Sequence, residues 1–108
     1  MPRLPMPPGS LIVLVLRVLQ AGPMHGYAIA QRIHELSNEV LEAEEGSLYP
    51  ALQKMLAEGW VTAEWGVSET KRRVRHYSIT KAGRAQLRQQ ISEYEQVTAA
   101  ILGILKPA

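Results

Sequence analysis

The sequence holds 108 residues, 46% of them hydrophobic, with no cysteine and a formal net charge of +2; this suits one domain, excludes a disordered tail, and rules out disulfides and thiolate metal sites. Seven of the 12 basic residues (Lys71, Arg72, Arg73, Arg75, Lys81, Arg84 and Arg88) fall in one acid-free stretch, so an acidic body carries one basic segment, which points to a local polyanion contact. The run LIVLVL, Leu11 to Leu16, is too short to span a membrane and is followed by Arg17 with no small-residue cleavage pattern, so export is excluded and a cytoplasmic setting is expected.

Residues 1–9, MPRLPMPPG, are rich in proline and read as a flexible arm. Ser10 can cap a helix running to Leu19, which Ala21-Gly22-Pro23 then stops. That helix is apolar on nearly every side. A small domain cannot easily surround it, so a second chain is expected to cover part of it. His25-Gly26 precedes a second helix, about Tyr27 to Leu36, with Ile29, Ile33 and Leu36 on one face. Ser37-Asn38 ends it, and an acidic connector follows with a few extended residues around Val40-Leu41.

The third helix lies in EEGSLYPALQKMLAEGW, Glu44 to Trp60, capped by Ser47 and closed at Gly59, so that it spans residues 47–58. At about 100° per residue, Leu48, Leu52, Met55 and Leu56 fall within one arc of roughly 100°. Ser47, Tyr49, Pro50, Gln53 and Lys54 fall outside it. With Ser47 as cap, Pro50 is the third helical residue, where its missing N–H has no intrahelical partner to lose.

Val61, Ala63 and Trp65 then alternate with Thr62 and Glu64 in a half-buried strand. GVSETK, Gly66 to Lys71, reads as a turn, and Arg72 to Ile79 alternates again. A strand leaving the core puts Tyr77 and Ile79 over the body and Arg73 and Arg75 near the tip. Thr80 caps a last helix to Leu105, roughly 39 Å long at 1.5 Å per residue. Leu87, Ile91, Tyr94, Thr98, Ile101 and Leu105 make a heptad seam along it. Gly83, in its first turn, marks either a close backbone crossing or simple tolerance. His25, His34 and His76 lack metal-ligand spacing. The sequence has no aspartate, and Ser47 and Ser78 have no His/Asp partner pattern, so neither catalysis nor a cofactor is expected.

This order of elements gives a mainly α fold with a small β-hairpin: a winged helix-turn-helix over residues 10–79, then a long dimerisation helix over 80–108. The third helix docks through its apolar arc, leaving its other face free to enter a DNA major groove. There Gln53 can bond adenine in two places, Lys54 can reach guanine or phosphate, and Ser47 and Tyr49 offer hydroxyls. Lys71, Arg72, Arg73 and Arg75, on a wing at residues 66–76, can lie against the phosphate backbone or minor groove. Two chains are expected to pair through the first helix (Leu11, Leu14) and the seam (Leu87, Ile91, Tyr94, Thr98, Ile101, Leu105). Polar helix faces and charge runs are commonly just solvated surface, and the rival reading is a winged-helix module that contacts an acidic protein and has no DNA role.

Three stretches, GPMHGYAIAQRI, EEGSLYPALQKMLAEGWV and RRVRHYSITKAGRAQL, closely resemble the PadR family of bacterial transcriptional regulators. The resemblance runs from about Ser10 to Leu87 and rests on Gly26-Tyr27, on GSLYPAL, and on the segment from Tyr77 to Arg84. It implies a homodimer on operator DNA, usually a repressor and sometimes released by a small-molecule effector. It also implies DNA contacts from Ser47, Tyr49, Pro50 and their helix neighbours, from Tyr27 and from the basic wing. The chain resembles the short members with a single C-terminal helix. Some short multidrug-binding relatives stack a flat ligand on a tryptophan of that helix; here Trp60 and Trp65 lie at the wing strand, and Tyr94 is the helix's one aromatic.

Overall fold

Hydrophobic periodicity divides the chain into four helices and short strands, and a computed structural model, which describes residues 4–6 and 9–107, assembles them around one core. The order is β1 (Leu4–Pro5), α1 (Leu11–Leu19), β2 (Met24–His25), α2 (Gly26–Leu36), β3 (Leu41–Glu42), α3 (Glu45–Ala57), β4 (Val61–Val67), β5 (Arg73–Ile79) and α4 (Lys81–Leu105). Of the arm expected over 1–9, residues 1–3 and 7–8 lie outside the described residues, while β1 pairs parallel with β3.

The apolar α1 is surrounded more fully than its sequence suggests. It packs against α2, α3, α4 and β5 of its own chain, and Val15 and Leu16 are completely buried. Leu11, Ile12 and Leu14 are left half-buried, Leu11 and Leu14 on neighbouring positions of one side. Ser10 precedes the helix as expected but does not cap it with its side chain. Its backbone is already helical (φ −87°, ψ −28°), and its Oγ donates to the Tyr94 hydroxyl at 3.5 Å.

At the start of α2 the capping group is His25, whose Nδ1 accepts the Ala28 N–H at 3.3 Å. Ile29 and Ile33 enter the core, but Leu36 is 56% exposed, because the last turn of α2 runs past the core's edge. The chain then reverses through Asn38 and Glu39, both at positive φ. His34 Nδ1 donates to the Leu41 carbonyl at 3.0 Å, and Ser37 Oγ accepts the Leu41 N–H at 2.9 Å, fixing the connector to the helix end.

β4 and β5 form an antiparallel hairpin with pairs from Val61↔Ile79 out to Val67↔Arg73. It is longer than the alternation predicts: Gly66 and Val67 belong to the strand, and the turn is confined to Ser68–Arg72. The tip is closed by Ser68 N–H to the Arg72 carbonyl at 2.8 Å and Lys71 N–H to the Ser68 carbonyl at 2.9 Å, with Lys71 at φ 62°. β2 adds a third strand on the other side of β5.

The joint between α3 and α4 is built from four residues. Gly59, at φ 76°, ends α3: its N–H donates to the Leu56 carbonyl and that of Trp60 to the Met55 carbonyl, the Schellman arrangement. Thr80 Oγ1 donates to the Gly59 carbonyl at 2.6 Å and accepts the Gly83 N–H at 3.0 Å, as the expected cap of α4. Gly83 is buried against the Trp60 carbonyl so closely that a β-carbon there would overlap it, which decides for the close crossing. Beyond this joint Leu87 is buried, Ile91 is half-buried and Tyr94 still reaches Ser10, after which α4 leaves the body. Among the described residues no helix is long and apolar enough to cross a membrane.

Candidate nucleic-acid interface

The α3 sequence places its two kinds of side chain on two sides, and the fold keeps them there. Leu48, Leu52 and Met55 are at most 1% exposed, with Leu56 half-buried beside them. Ser47, Tyr49, Pro50, Gln53 and Lys54 are all exposed. The start of the helix differs from expectation. Ser47 lies inside it, and Glu44 is the N-cap: extended at φ −74°, ψ 145°, it offers its carbonyl to the N–H groups of Ser47 and Leu48 at 3.0 and 2.8 Å. Pro50 therefore sits in the second turn, where it removes a donor to the Gly46 carbonyl. Gly46 is exposed, so water can take the acceptor that proline leaves free.

The N-terminal ends of α2 and α3 meet at Gly26. Tyr49 lies against its backbone, with the phenolic oxygen 2.8 Å from where a β-carbon would stand. A side chain at residue 26 would push this ring outward. Burial, then the charge of Glu45, then Tyr77 raise the Tyr49 hydroxyl above its ordinary pKa, so at neutral pH it is a protonated donor. Tyr27 stands beside it, 68% exposed, with its ring nearly parallel to that of His25 at 6.4 Å.

An open groove of about 920 Å³ runs between these two helix starts and the hairpin, lined among others by Tyr27, Gln31, Tyr49, Trp65, Arg72 and Arg75. Tyr77, buried within the core, closes its inner end. Arg73 and Arg75 share a hairpin face with Tyr77, as predicted, and diverge from the core towards the tip. Lys71, Arg72 and Arg73 are exposed and Arg75 is half-buried. The hairpin wall of the groove thus carries Arg72 and Arg75, with Glu69 at its tip. The opposite wall presents the Tyr27 and Tyr49 hydroxyls, with Glu45 beside them, at the positive ends of two helix dipoles.

The structure gathers Tyr27, Tyr49, Arg72 and Arg75 around one groove and places Ser47, Pro50, Gln53 and Lys54 on the exposed side of α3. Lys71 stands at the hairpin tip, and Arg73 lies over the Trp65 ring. Trp65 was expected to point inward with Val61 and Ala63. It is 61% exposed, because the hairpin has left the core by that position. Its place opposite Arg75 is set by the hairpin register, which no local sequence pattern announces. His25 also contributes more than an ordinary polar residue, as helix cap and as ring neighbour of Tyr27 and His76.

Of the residues expected to pair two chains, Leu87 is withdrawn: it is 1% exposed and packed into its own chain's core. Ile91 and Leu14 are half-buried against that core, as is Leu11. Thr98 is half-buried, while Tyr94, Ile101 and Leu105 remain exposed along the outer part of α4.

The model of the transcriptional regulator PadR-like family matches residues 15–89, which takes in α2, α3, the hairpin and the start of α4. Transcriptional regulator Rv3488 of Mycobacterium tuberculosis is 34% identical over 80 residues, covering 74% of this chain and 71% of that protein. The negative transcriptional regulator PadR of Bacillus subtilis is 24% identical over 87 residues, covering 81% of this chain; the chain spans about half (48%) of that longer relative. A solved transcriptional regulator from Clostridium thermocellum superposes with a TM-score of 0.82 at 28% identity, covering 91% of this chain and 95% of the other.

Proposed function

The chain belongs to the PadR-like family of transcriptional regulators, and from that premise we propose that it acts as a homodimeric repressor on an inverted-repeat operator. α3 enters the major groove with Gln53 and Lys54 towards base edges and Ser47, Tyr49 and Pro50 at its leading end. The hairpin lays Lys71, Arg72, Arg73 and Arg75 along the adjacent backbone. Two copies join through the outer part of α4 and the half-buried side of α1. Their α3 helices then meet successive major grooves, about 34–36 Å apart, and occupancy of the site excludes polymerase. A small-molecule effector, the further partner class that the family resemblance brings, would act by changing the spacing of the two α3 helices.

The observation that carries this reading is the division of α3. Three of its apolar residues are sealed in the core while five polar or small-ring residues face outward beside a cationic hairpin. A surface of that shape and charge fits a duplex groove flanked by phosphates. The test is a salt series on duplexes selected from a random pool, with binding followed by fluorescence anisotropy. Selective binding should fall steeply, the logarithm of affinity changing by about 0.9 per phosphate contact for each unit of log salt. Equal, weak binding to every duplex would instead favour a module that contacts an acidic protein.

A further inference from the structure

We propose that Trp65 is a positioning residue for DNA binding: its indole holds Arg73 and Arg75 in place along the wing before the phosphodiester backbone arrives, an assignment that rests on the DNA-binding reading above. Register puts Trp65 directly opposite Arg75 and diagonal to Arg73, whose own partner is Val67. All three side chains therefore share one face of the hairpin. The Arg73 guanidinium carbon is 4.6 Å from the centroid of the indole, and that of Arg75 is 5.9 Å away. Arg75 is also 5.9 Å from the Tyr77 ring, so its guanidinium sits between two aromatics.

Two cations spaced two residues apart on one strand face repel each other. Neither has a carboxylate partner among the described residues. The electron-rich face of the indole is what holds both. The Nε of Arg75 is buried with no hydrogen-bond partner, so this guanidinium is held by ring contacts and not by a polar network. Trp65 itself has little part in the core, being 61% exposed on the outer half of the hairpin, whereas Val61 and Tyr77 anchor the inner half at 2% and 4%. A residue placed this way orders its neighbours more than it stabilises the fold. Arginines held in a few rotamers before binding lose less freedom at the moment of contact.

The test compares Trp65→Leu, which keeps apolar bulk but has no aromatic face, with Trp65→Phe, both in the full chain. Thermal midpoints of both should stay within a few degrees of wild type. Trp65→Leu should bind the selected operator about tenfold more weakly, and Trp65→Phe should recover most of that loss, since phenylalanine retains a ring for the guanidiniums. The salt slope should stay unchanged in Trp65→Leu, because no charge is lost, whereas Arg73→Ala should reduce it by about one contact. In the free protein, Arg73→Ala with Arg75→Ala should shift the Trp65 indole N–H resonance. Wild-type binding with Trp65→Leu equally tight, or an indole resonance that ignores both arginines, overturns the assignment. A wild-type chain that binds no duplex overturns the DNA reading and this assignment with it.

Discussion

Tyr49 and Gly26 are in such close contact that a β-carbon on Gly26 would lie 2.8 Å from the phenolic oxygen and 3.0 Å from the nearest ring carbon. The contact joins the N-terminal ends of α2 and α3, and so sets where the leading end of α3 stands relative to Tyr27. It also separates stability from function. Alanine favours a helix over glycine by about 1 kcal/mol, and a ring tip can swing aside at a similar cost. Gly26→Ala should therefore leave the thermal midpoint within a few degrees of wild type, yet weaken operator binding by about tenfold as Tyr49 moves. Unchanged affinity would show that the placement of Tyr49 does not matter for binding.

Gly83 presents the opposite case. The atom in the way is the Trp60 carbonyl, and that carbonyl is held by the Thr80 N–H at 3.0 Å while Thr80 Oγ1 holds the Gly59 carbonyl at 2.6 Å. Backbone tied at two points cannot give way as a ring can. Gly83→Ala should destabilise the chain by about 2–3 kcal/mol despite alanine's better helix propensity. At about 4–8 °C per kcal/mol for a domain near this size, the midpoint should fall by about 10 °C or more, as followed by circular dichroism. A midpoint that rises would mean the joint is looser than its hydrogen bonds indicate.

Gln53 stands on the exposed side of α3, one turn after Tyr49 and clear of the core. Gln53→Ala should cost about 1–3 kcal/mol at the matched operator and much less at a mismatched one, because an amide that pairs with adenine discriminates where a phosphate contact does not. Competition assays on the two duplexes read this difference. Equal losses on both would move Gln53 to the backbone-contacting set.

Ile101 and Leu105 are 51% and 71% exposed on the outer part of α4, where Val97, Leu102 and Ile104 are exposed too. Replacing both with glutamate leaves the single chain's core untouched and places charges in the proposed seam, where burial without partners is strongly unfavourable. The double variant should remain helical by circular dichroism but sediment as a monomer, and its operator affinity should collapse with the loss of the second α3. A dimer that survives would place the pairing surface elsewhere, with the half-buried edge of α1 the first place to look.

Much of this architecture was legible because the signals were local. The apolar arc Leu48, Leu52, Met55 and Leu56 needs only helical geometry to face one way, and it does. The Thr80 cap and the Gly59 terminus are chemical signals within a few residues of the ends they mark. Misreadings came where neighbours distant in sequence decided the outcome. Ser10 follows the usual capping pattern, but Tyr94 engages its hydroxyl. Leu36 keeps the period of Ile29 and Ile33 but lies beyond the edge of what they pack on. Leu87 shares the heptad spacing of Ile101 and Leu105, yet it falls where α4 still crosses the body.

The sequence by itself determined the elements, the inward side of α3 and the concentration of positive charge beside the hairpin, because periodicity, capping chemistry and charge all act over a few residues. Only the tertiary structure decided that α2 and α3 meet at Gly26, that Trp65 lies outside the core beneath two arginines, and that α1 is largely enclosed by its own chain. Each of these is a contact between segments separated along the chain, set by where packed elements run out of core, and no local pattern encodes that limit.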